Sequence, residues 1–414
     1  MTLRQLMSAW IKFWFGLTSP VPVALFRIAI GLVILQAELL LVGKDVLLWY
    51  GPKGMLPPQV MKDFFWLGAP YFDVFRYMPQ TDFAVLVFWN IMIAAAVCLI
   101  IGLYSRIAAI VVAICIVTLH NRMPFVINGG DNMLRILSIY LCFTRCDVAL
   151  SCDSLIKRWR YPTLNAGEPK ISILPQRVIQ LQLSLAYLTT ALLKMAGSDW
   201  LDGTAVYYAL RVEEVYHYSI PWLTDNLLLC KFYDYATLFA EAGMGTLVWI
   251  REFRYPVLLS VLLMHLSIDT LMNFPVFEWI FCSALIFFVY PEDLKALADR
   301  IKFKVATKYG GAIQIVYNPS MSLQMSEASV LQGLDLLDRL EFVPDPETKR
   351  LFIARSSQPL ARNDSFYELS TRLPILWIVG IVLASARLLS RQKTVDTSDL
   401  ATNGAEKRLI DTEN

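Results

Sequence analysis

Residues 83–104 read FAVLVFWNIMIAAAVCLIIGLY, a run that contains no charged side chain. About 20 mainly apolar residues form a helix long enough to cross the hydrocarbon layer of a bilayer. Comparable runs recur along the first 290 residues, so the sequence predicts an all-α polytopic membrane bundle of about eight transmembrane helices. The predicted spans are roughly 22–43, 83–104, 107–120, 133–150, 176–196, 233–250, 255–272 and 274–290.

The composition agrees with a membrane protein. Of 414 residues, 56% are hydrophobic and 17% are charged, whereas about a quarter of a soluble domain is charged. The formal net charge of +2 gives no reason to expect a nucleic-acid partner. The seven cysteines have no spacing typical of a disulfide framework or a zinc site, so no metal is predicted. The expected partner is the lipid bilayer.

Orientation follows from lysine and arginine, which stay on the cytoplasmic side of short loops. With eight alternating helices, the basic residues before the first span and in the loops 105–106, 145–177 and 251–254 all fall on one side. Both termini are then cytoplasmic, and the loops 44–82, 121–132 and 197–232 face outward. The segment 1–15 is interpreted as an interfacial amphipathic helix, because it lacks a cleavage site of small residues.

A small α/β domain is predicted after the bundle, on the cytoplasmic side. Residues 312–317 and 341–343 have the pattern of short strands, and 325–340 that of a helix. The apolar segment 373–386 is interpreted as an interfacial or domain-packed helix, with a ninth span as the alternative, and the tail 394–414 as disordered.

Ionisable residues inside spans are candidate functional groups, because they are costly in hydrocarbon. Lys194 ends the fifth predicted span, with Asp199 just beyond it. It either snorkels to the interface or acts as a base. His265 and Asp269 share a helix face at a spacing of four residues, where they either relay a proton or tie helices together.

Two glutamates in the predicted spans need partners. Glu38 lies in the first span and Glu241 in the sixth, and Arg27 is a candidate partner for one of them.

The segment 120–135, HNRMPFVINGGDNMLR, is the most site-like stretch of the chain. Asn128 and Asp131 flank two glycines in a predicted tight turn that enters a helix, because glycine permits positive φ and Asn or Asp caps a first turn. Such a cap explains these residues without a ligand. Arg135, one turn on, needs an anion or a carboxylate and favours an anion pocket.

Several segments together resemble the HTTM family, the bacterial relatives of vitamin K-dependent gamma-carboxylase. They are LAYLTTALLKMAGSDWLDGTAVYYAL (185–210), HNRMPFVINGGDNMLR (120–135), GLYSRIAAI (102–110) and LLMHLSIDTLMNFPVFEWIFCSALIFF (262–288). The resemblance spans about 15–295. It implies a bacterial inner membrane and a cofactor such as reduced quinone of the vitamin K type.

In the carboxylase, a lysine just before a Trp-x-x-Gly turn deprotonates the reduced quinone. Aligning Trp200 with that tryptophan places Lys194 at the first of two adjacent family lysines and Met195 at the second, the catalytic one. The large β-rich luminal domain of the carboxylase is also missing from this chain.

The segment 313–343, IQIVYNPSMSLQMSEASVLQGLDLLDRLEFV, resembles the DCC family of thioredoxin-like domains, which carry a Tyr-Asp-x-x-Cys-x-x-Cys run. The matching positions are Tyr317, Asn318, Met321 and Gln324. Dithiol exchange needs a thiolate. Without cysteine, this degenerate domain is expected to be a scaffold or a docking surface for a protein partner.

These observations leave two functions open. The protein is either an enzyme, carboxylase-like or quinone-dependent, that acts on a lipophilic quinone or lipid, or a non-catalytic lipid- or partner-binding protein, for example in maturation of or immunity to a peptide toxin. The predicted domains are 1–295, 311–390 and the tail 394–414. The predicted catalytic residues are Lys194, His265 and Asp269, and the predicted substrate-binding residues are Asn128, Asp131, Arg135, Asp199, Trp200 and Glu241.

Overall fold

The computed structural model describes two compact units. One contains Met1–Ser154 and Glu168–Leu294, and the other contains Leu155–Gly167 and Lys295–Asn414. The residues described are 2–57, 60, 72–165, 167–213, 215, 217–218, 220–309, 312–355, 358–359, 368–370 and 372–373. The predicted domain boundaries at 295, 311 and 390 stay predictions.

Helices dominate the described residues. The longer ones are α1 (Leu3–Phe15), α2 (Val21–Gln36), α3 (Asp82–Ile101), α4 (Ser105–Arg122), α5 (Gly129–Cys142), α6 (Cys152–Arg160), α7 (Leu174–Met195), α8 (Leu227–Gly245), α9 (Arg251–Leu271), α10 (Phe277–Ala284), α11 (Pro291–Tyr309) and α12 (Ser322–Leu334). Shorter α-helices cover Val46–Tyr50, Ser198–Asp202, Ala205–Ala209 and Pro221–Thr224, and 3₁₀ turns cover Val74–Tyr77, Pro124–Val126, Leu247–Trp249 and Leu285–Phe288. The helix α2 continues as a π-helix, Ala37–Val42.

Four described helices are long and apolar enough to cross a membrane. They are Val21–Val42, Asp82–Ile101, Ser105–Arg122 and Leu174–Met195. The other predicted spans are helical but differ in length or polarity. The helices α5 and α10 are short, with 14 and 8 residues, and α8 and α9 carry several charged residues. The count of eight spans therefore stays a prediction.

A buried arginine joins the amino-terminal half of α2 to the carboxyl end of α3. Arg27 is fully buried and donates hydrogen bonds to the carbonyl oxygens of Leu99, at 2.7 Å, and Leu150, at 2.5 Å. The expectation that Arg27 pairs with one of the two glutamates is wrong, because its described hydrogen bonds go to these carbonyls, and Glu241 pairs with Lys194. Glu38 instead accepts from the indole N–H of Trp89 at 3.1 Å.

The bundle core is formed mainly by contacts of α2 with α3, of α3 with α4, of α4 with α5, of α7 with α8 and of α8 with α9. The rings of Phe26 and Phe287 lie 4.8 Å apart between centroids. Both side chains are almost fully buried. The apolar faces of these helices therefore meet in one continuous core.

The first helix is attached to the bundle at its carboxyl end. No residue of α1 is buried. Arg177 on α7 donates to the carbonyl of Phe13 at 3.1 Å and stacks on its ring. Strand β1 (Leu17–Thr18) then pairs antiparallel with β2 (Ile171–Ser172). The structure thus has a helix where the sequence predicts an amphipathic one, and its position at a membrane interface stays a prediction.

The second unit contains a four-stranded sheet. Its strands are β3 (Ile313–Tyr317), β4 (Leu340–Pro344), β5 (Phe352–Arg355) and β6 (Gln358–Pro359), in the order β4-β3-β5-β6. Strands β3 and β4 are parallel and are connected through α12, whereas β5 is antiparallel to β3. The two predicted strands are therefore strands in the structure, and Ile313, Ile315 and Ile353 lie in their core.

The predicted helix at 325–340 differs in both bounds, because α12 covers Ser322–Leu334. Asp335 ends it by accepting hydrogen bonds from the backbone N–H groups of Arg339 and Leu340, each at 2.8 Å. These bonds fold 335–339 into a turn before β4. A thioredoxin-like fold stays a prediction. The predicted helix at 373–386, apart from Leu373, and the tail 394–414 lie outside the described residues.

Candidate functional site

Lys194 lies at the last turn of α7 and turns toward the neighbouring helix α8. Its ammonium forms an ion pair with Glu241, and its Nζ lies 4.8 Å from the centroid of the Trp200 ring. The Lys194 side chain is 25% exposed and that of Glu241 is 7% exposed. Lysine, tryptophan and glutamate from the predicted site are therefore together, with the amine still accessible from one side.

Two residues near Lys194, Asp199 of the predicted site and Met195, do not take part in this ion pair. Asp199 is exposed, and its only described side-chain contact is a 3.5 Å hydrogen bond from Ser198. Asp199 is therefore not the counter-ion of Lys194. Met195 is 39% exposed. Of the two positions that match the family lysines, the one that faces the buried carboxylate is position 194.

A buried chain of hydrogen bonds lies deeper in the same bundle. The hydroxyl of Tyr187 on α7 lies 2.5 Å from Nε2 of His265 on α9, and Nδ1 of His265 bonds the carboxylate of Glu278 on α10. All three side chains are nearly fully buried. The imidazole also stacks on Phe281, with 5.2 Å between ring centroids. Tyr187, His265 and Glu278, called here the buried triad, join three helices.

The predicted pairing of His265 with Asp269 is wrong. Nδ1 of His265 faces Glu278, one helix away, because the imidazole turns into the bundle. Asp269 is only half-buried, and the described residues offer it no hydrogen bond or ion pair. It still lies close enough to Glu278 to act on its charge.

The buried triad and the Lys194–Glu241 pair are neighbours. Tyr187 and Lys194 are seven residues apart, two turns along one face of α7, or about 10 Å. Glu241 acts electrostatically on Tyr187, and Lys194 acts on Glu278. One oxygen of each buried carboxylate, Oε2 of Glu241 and Oε1 of Glu278, has no hydrogen-bond partner among the described residues. The two groups therefore form one polar site between α7, α8, α9 and α10.

The Asn128 segment forms a capping box at the start of α5. Oδ1 of Asn128 accepts from the N–H groups of Gly130, at 2.7 Å, and Asp131, at 3.1 Å, and Asp131 accepts from the N–H of Asn128 at 2.9 Å. The expected positive φ is wrong, since the positive-φ glycines are Gly102 and Gly203. Close packing explains Gly130 instead, because a Cβ there would lie 2.7 Å from Cδ2 of Phe277.

Arg135 lies in a second polar region, near the start of α5. Its side chain is half-buried, and its Nε has no hydrogen-bond partner among the described residues. Asp131 and His120 are close enough to interact with it electrostatically. No hydrogen bond or ion pair among the described residues joins Arg135 to Lys194 or His265. A shared site, and a ligand role for Asn128, Asp131 and Arg135, stay predictions.

Sequence reasoning missed two members of the buried triad. Tyr187 lies two helical turns before Lys194, so it falls on the same face. Glu278 is an acidic residue inside the apolar run 274–290. Both signals are present in the sequence, but only a three-dimensional arrangement brings them to His265.

Long apolar helices with buried ion pairs define an integral membrane protein. The HTTM domain model matches residues 18–292, about two thirds of the chain. The chain therefore belongs to the HTTM family. No curated protein and no solved structure matches it.

Proposed function

We propose that this membrane protein binds a lipophilic small molecule of the quinone or lipid class and uses Lys194 as an acid–base group on it. The observation that carries the proposal is the position of Lys194. Its side chain is 25% exposed, forms an ion pair with Glu241 and places Nζ over the ring of Trp200. A partly desolvated amine next to a carboxylate can exchange protons with a bound molecule. The ring of Trp200 adds a flat apolar surface beside the amine.

A reduced quinone of the vitamin K type fits these residues. Such a group supplies a weakly acidic hydroxyl on an aromatic ring. Trp200 would pack on the ring, Lys194 would accept the hydroxyl proton, and Glu241 would hold the resulting ammonium. Oε2 of Glu241 is buried and has no hydrogen-bond partner among the described residues, so it can accept from such a hydroxyl.

The wider arrangement belongs to the same proposal. The chain is a carboxylase-like member of its family, with eight spans, both termini in the cytoplasm and the Lys194 end of α7 facing outward in a bacterial inner membrane. The distribution of lysine and arginine over the loops supports this orientation. Lipid surrounds the bundle.

The second unit is a degenerate DCC-type, thioredoxin-like domain. Support comes from the β3-α12-β4 order and from the start of α12, where Gln324 Nε2 contacts Met321 Sδ at 3.0 Å. These are the two positions that match the family cysteines. Residues 311–390 contain no cysteine, so the unit serves as a scaffold or as a docking surface for a protein partner.

A non-catalytic function is the second candidate. The ion pair of Lys194 with Glu241 favours it, because such pairs also tie helices together. Met195 stands where the family places its catalytic lysine. In this case the protein binds a lipid or a partner protein, or serves in maturation of or immunity to a peptide toxin, without proton transfer.

Extraction of bound molecules tests the proposal. The full-length protein is purified in mild detergent, and bound lipids and quinones are extracted and identified by mass spectrometry. We expect a defined lipophilic compound in the wild type and a large loss of it in Lys194→Ala. Lys44→Ala, which removes an exposed lysine, is the matched control. Identical bound content in all three proteins would overturn the proposal, and a loss of Tm alone would favour the non-catalytic candidate.

A further inference from the structure

Two buried carboxylates and two basic groups share the polar site. Glu241 faces Lys194, and Glu278 faces His265. While both carboxylates are ionised, these four groups are electrically neutral only when both bases carry a proton. Charges without a counter-ion are costly in a low-dielectric interior. The position of each proton therefore decides which buried carboxylate stays neutralised.

The hydrogen bonds of His265 fix how the buried triad accepts a proton. In the neutral imidazole, Nδ1–H donates to Glu278, which leaves Nε2 to accept from the Tyr187 hydroxyl. When Nε2 is protonated, it donates to the Tyr187 oxygen instead. The hydroxyl of Tyr187 is then released to donate elsewhere. Oε2 of Glu241 has no hydrogen-bond partner among the described residues, and Glu241 is near enough to act electrostatically on Tyr187.

Burial favours His265 as the holder of a single proton. A single proton on His265 leaves the Glu241 carboxylate unpaired, and one on Lys194 leaves the Glu278 carboxylate unpaired. The Glu278 side chain is 1% exposed and that of Glu241 is 7% exposed, so the unpaired charge is closer to solvent at Glu241. Asp269 and Cys282 also face Glu278, and the negative charge of Asp269 increases the need for a cation beside it.

We propose that Tyr187, His265 and Glu278 form a proton store for Lys194, so that a proton on His265 leaves Lys194 as a neutral amine ready to act as a base. This inference rests on the proposed role of Lys194. The triad residues are positioning residues, because they act through Lys194.

The transfer conserves protons and moves no electrons. Lys194 gives up the ammonium proton that faces Glu241, and Nε2 of His265 gains a proton, which it donates to the Tyr187 oxygen. Lys194 ends as a neutral amine and His265 as an imidazolium held by Glu278. The amine then accepts the proton of a bound acidic molecule, which brings the site to neutrality.

The chemical reactivity of Lys194 tests this proposal without a substrate. Only neutral amines react with acetic anhydride. The full-length protein in detergent is treated at neutral pH with a trace of the reagent, and acetylation of Lys194 is measured by mass spectrometry relative to Lys44. Tyr187→Phe and Glu278→Gln destabilise the imidazolium and return the proton to Lys194, so labelling slows about tenfold, which corresponds to one pH unit. Glu241→Gln removes the counter-ion of the ammonium, so labelling accelerates by about as much.

Slower labelling in the triad variants together with faster labelling in Glu241→Gln distinguishes a proton store from a purely structural contact between helices. Tyr140→Phe is the control, because its hydroxyl donates to Gln182 on α7 at 3.4 Å, outside the triad. Labelling at the wild-type rate in Tyr187→Phe, Glu278→Gln and Glu241→Gln would overturn the proposal. Faster labelling in all three would also overturn it, because it would show that the bundle has opened. The conservative Tyr187→Phe keeps the test valid if Glu278→Gln does not fold. If extraction finds no lipophilic compound while labelling still slows in the triad variants and accelerates in Glu241→Gln, the result supports the proton store and contradicts the proposed substrate class.

Discussion

Gly130 and Phe277 lie in direct contact between the first turn of α5 and the first residue of α10. A Cβ at Gly130 would lie 2.7 Å from Cδ2 of Phe277 and 3.2 Å from its Cα. The second distance is the more restrictive, because a backbone atom cannot rotate away. This contact places the capping box of α5 beside the helix that carries Glu278.

Gly130→Ala is therefore expected to lower stability. The added methyl group must push α10 away from α5, and overpacking of this kind costs about 1–3 kcal/mol. Thermal unfolding in detergent measures the effect as a lower Tm. Gly129→Ala is the matched control, since its nearest neighbour, Cε2 of Phe277, lies at an ordinary 3.6 Å. Equal Tm values for the two variants would contradict the assigned role of Gly130.

Arg27→Met is expected to destabilise the bundle by about 3 kcal/mol. The substitution removes two charge-assisted hydrogen bonds and leaves the carbonyls of Leu99 and Leu150 without these donors in a buried place. Arg27→Lys keeps the charge but lacks the planar guanidinium with its several donors. Its Tm is therefore expected to lie between those of the wild type and Arg27→Met. Arg106→Met, at an exposed arginine, is the control. A wild-type Tm for Arg27→Met would show that water replaces the guanidinium.

The sequence predicted most helices, because long apolar runs determine them regardless of tertiary contacts. Residues 83–104, for example, become Asp82–Ile101 in the structure. The number of these helices that cross the membrane is harder to predict, because α8 and α9 are long helices that carry charged residues. The end of α12 was missed for a local reason. Asp335 competes with the helix by binding two backbone N–H groups.

The candidate site was predicted only in part. Lys194, Trp200 and Glu241 were each named as site residues, and helical spacing and the turn after α7 bring them together, but the pairing of Lys194 with Glu241 was not predicted. The partner of His265 was wrong, because a spacing of four residues shows which groups share a face but not where a ring points. Glu278 reaches His265 from another helix, and packing between helices cannot be read from one helix alone.

Asp153→Ala is expected to weaken the start of α4. The carboxylate accepts hydrogen bonds from the backbone N–H groups of Tyr104, at 2.8 Å, and Ser105, at 2.7 Å, so it caps a helix from a distant segment. Loss of such a cap costs about 1–2 kcal/mol. Hydrogen exchange of the first turn of α4, measured by mass spectrometry, should become faster. Asp147→Ala, an acidic residue paired with Arg145 in the same loop, should leave that turn protected.

Cysteines at positions 321 and 324 test the thioredoxin-like interpretation of the second unit. The side chains of Met321 and Gln324 already touch, at the start of α12. The double variant Met321→Cys and Gln324→Cys is expected to form a disulfide under mild oxidation, because a helix amino terminus favours the reactive thiolate. Peptide mass spectrometry detects the bond. The pair Ser322→Cys and Met325→Cys, one residue further into the helix, is the control, and equal oxidation of both pairs would remove the support for a degenerate dithiol site.

The pairing of Lys194 with Glu241 predicts a large coupling between two substitutions. Lys194→Met leaves the Glu241 carboxylate buried without its counter-ion, and breaking a buried pair in this way costs about 3–5 kcal/mol. In the double variant Lys194→Met and Glu241→Gln no charge is stranded, so much of the stability returns. Unfolding free energies of wild type, both single variants and the double variant give the coupling energy directly. Additive effects would mean that water, rather than Glu241, neutralises the ammonium, and the amine would then lose the contact on which its acid–base role depends.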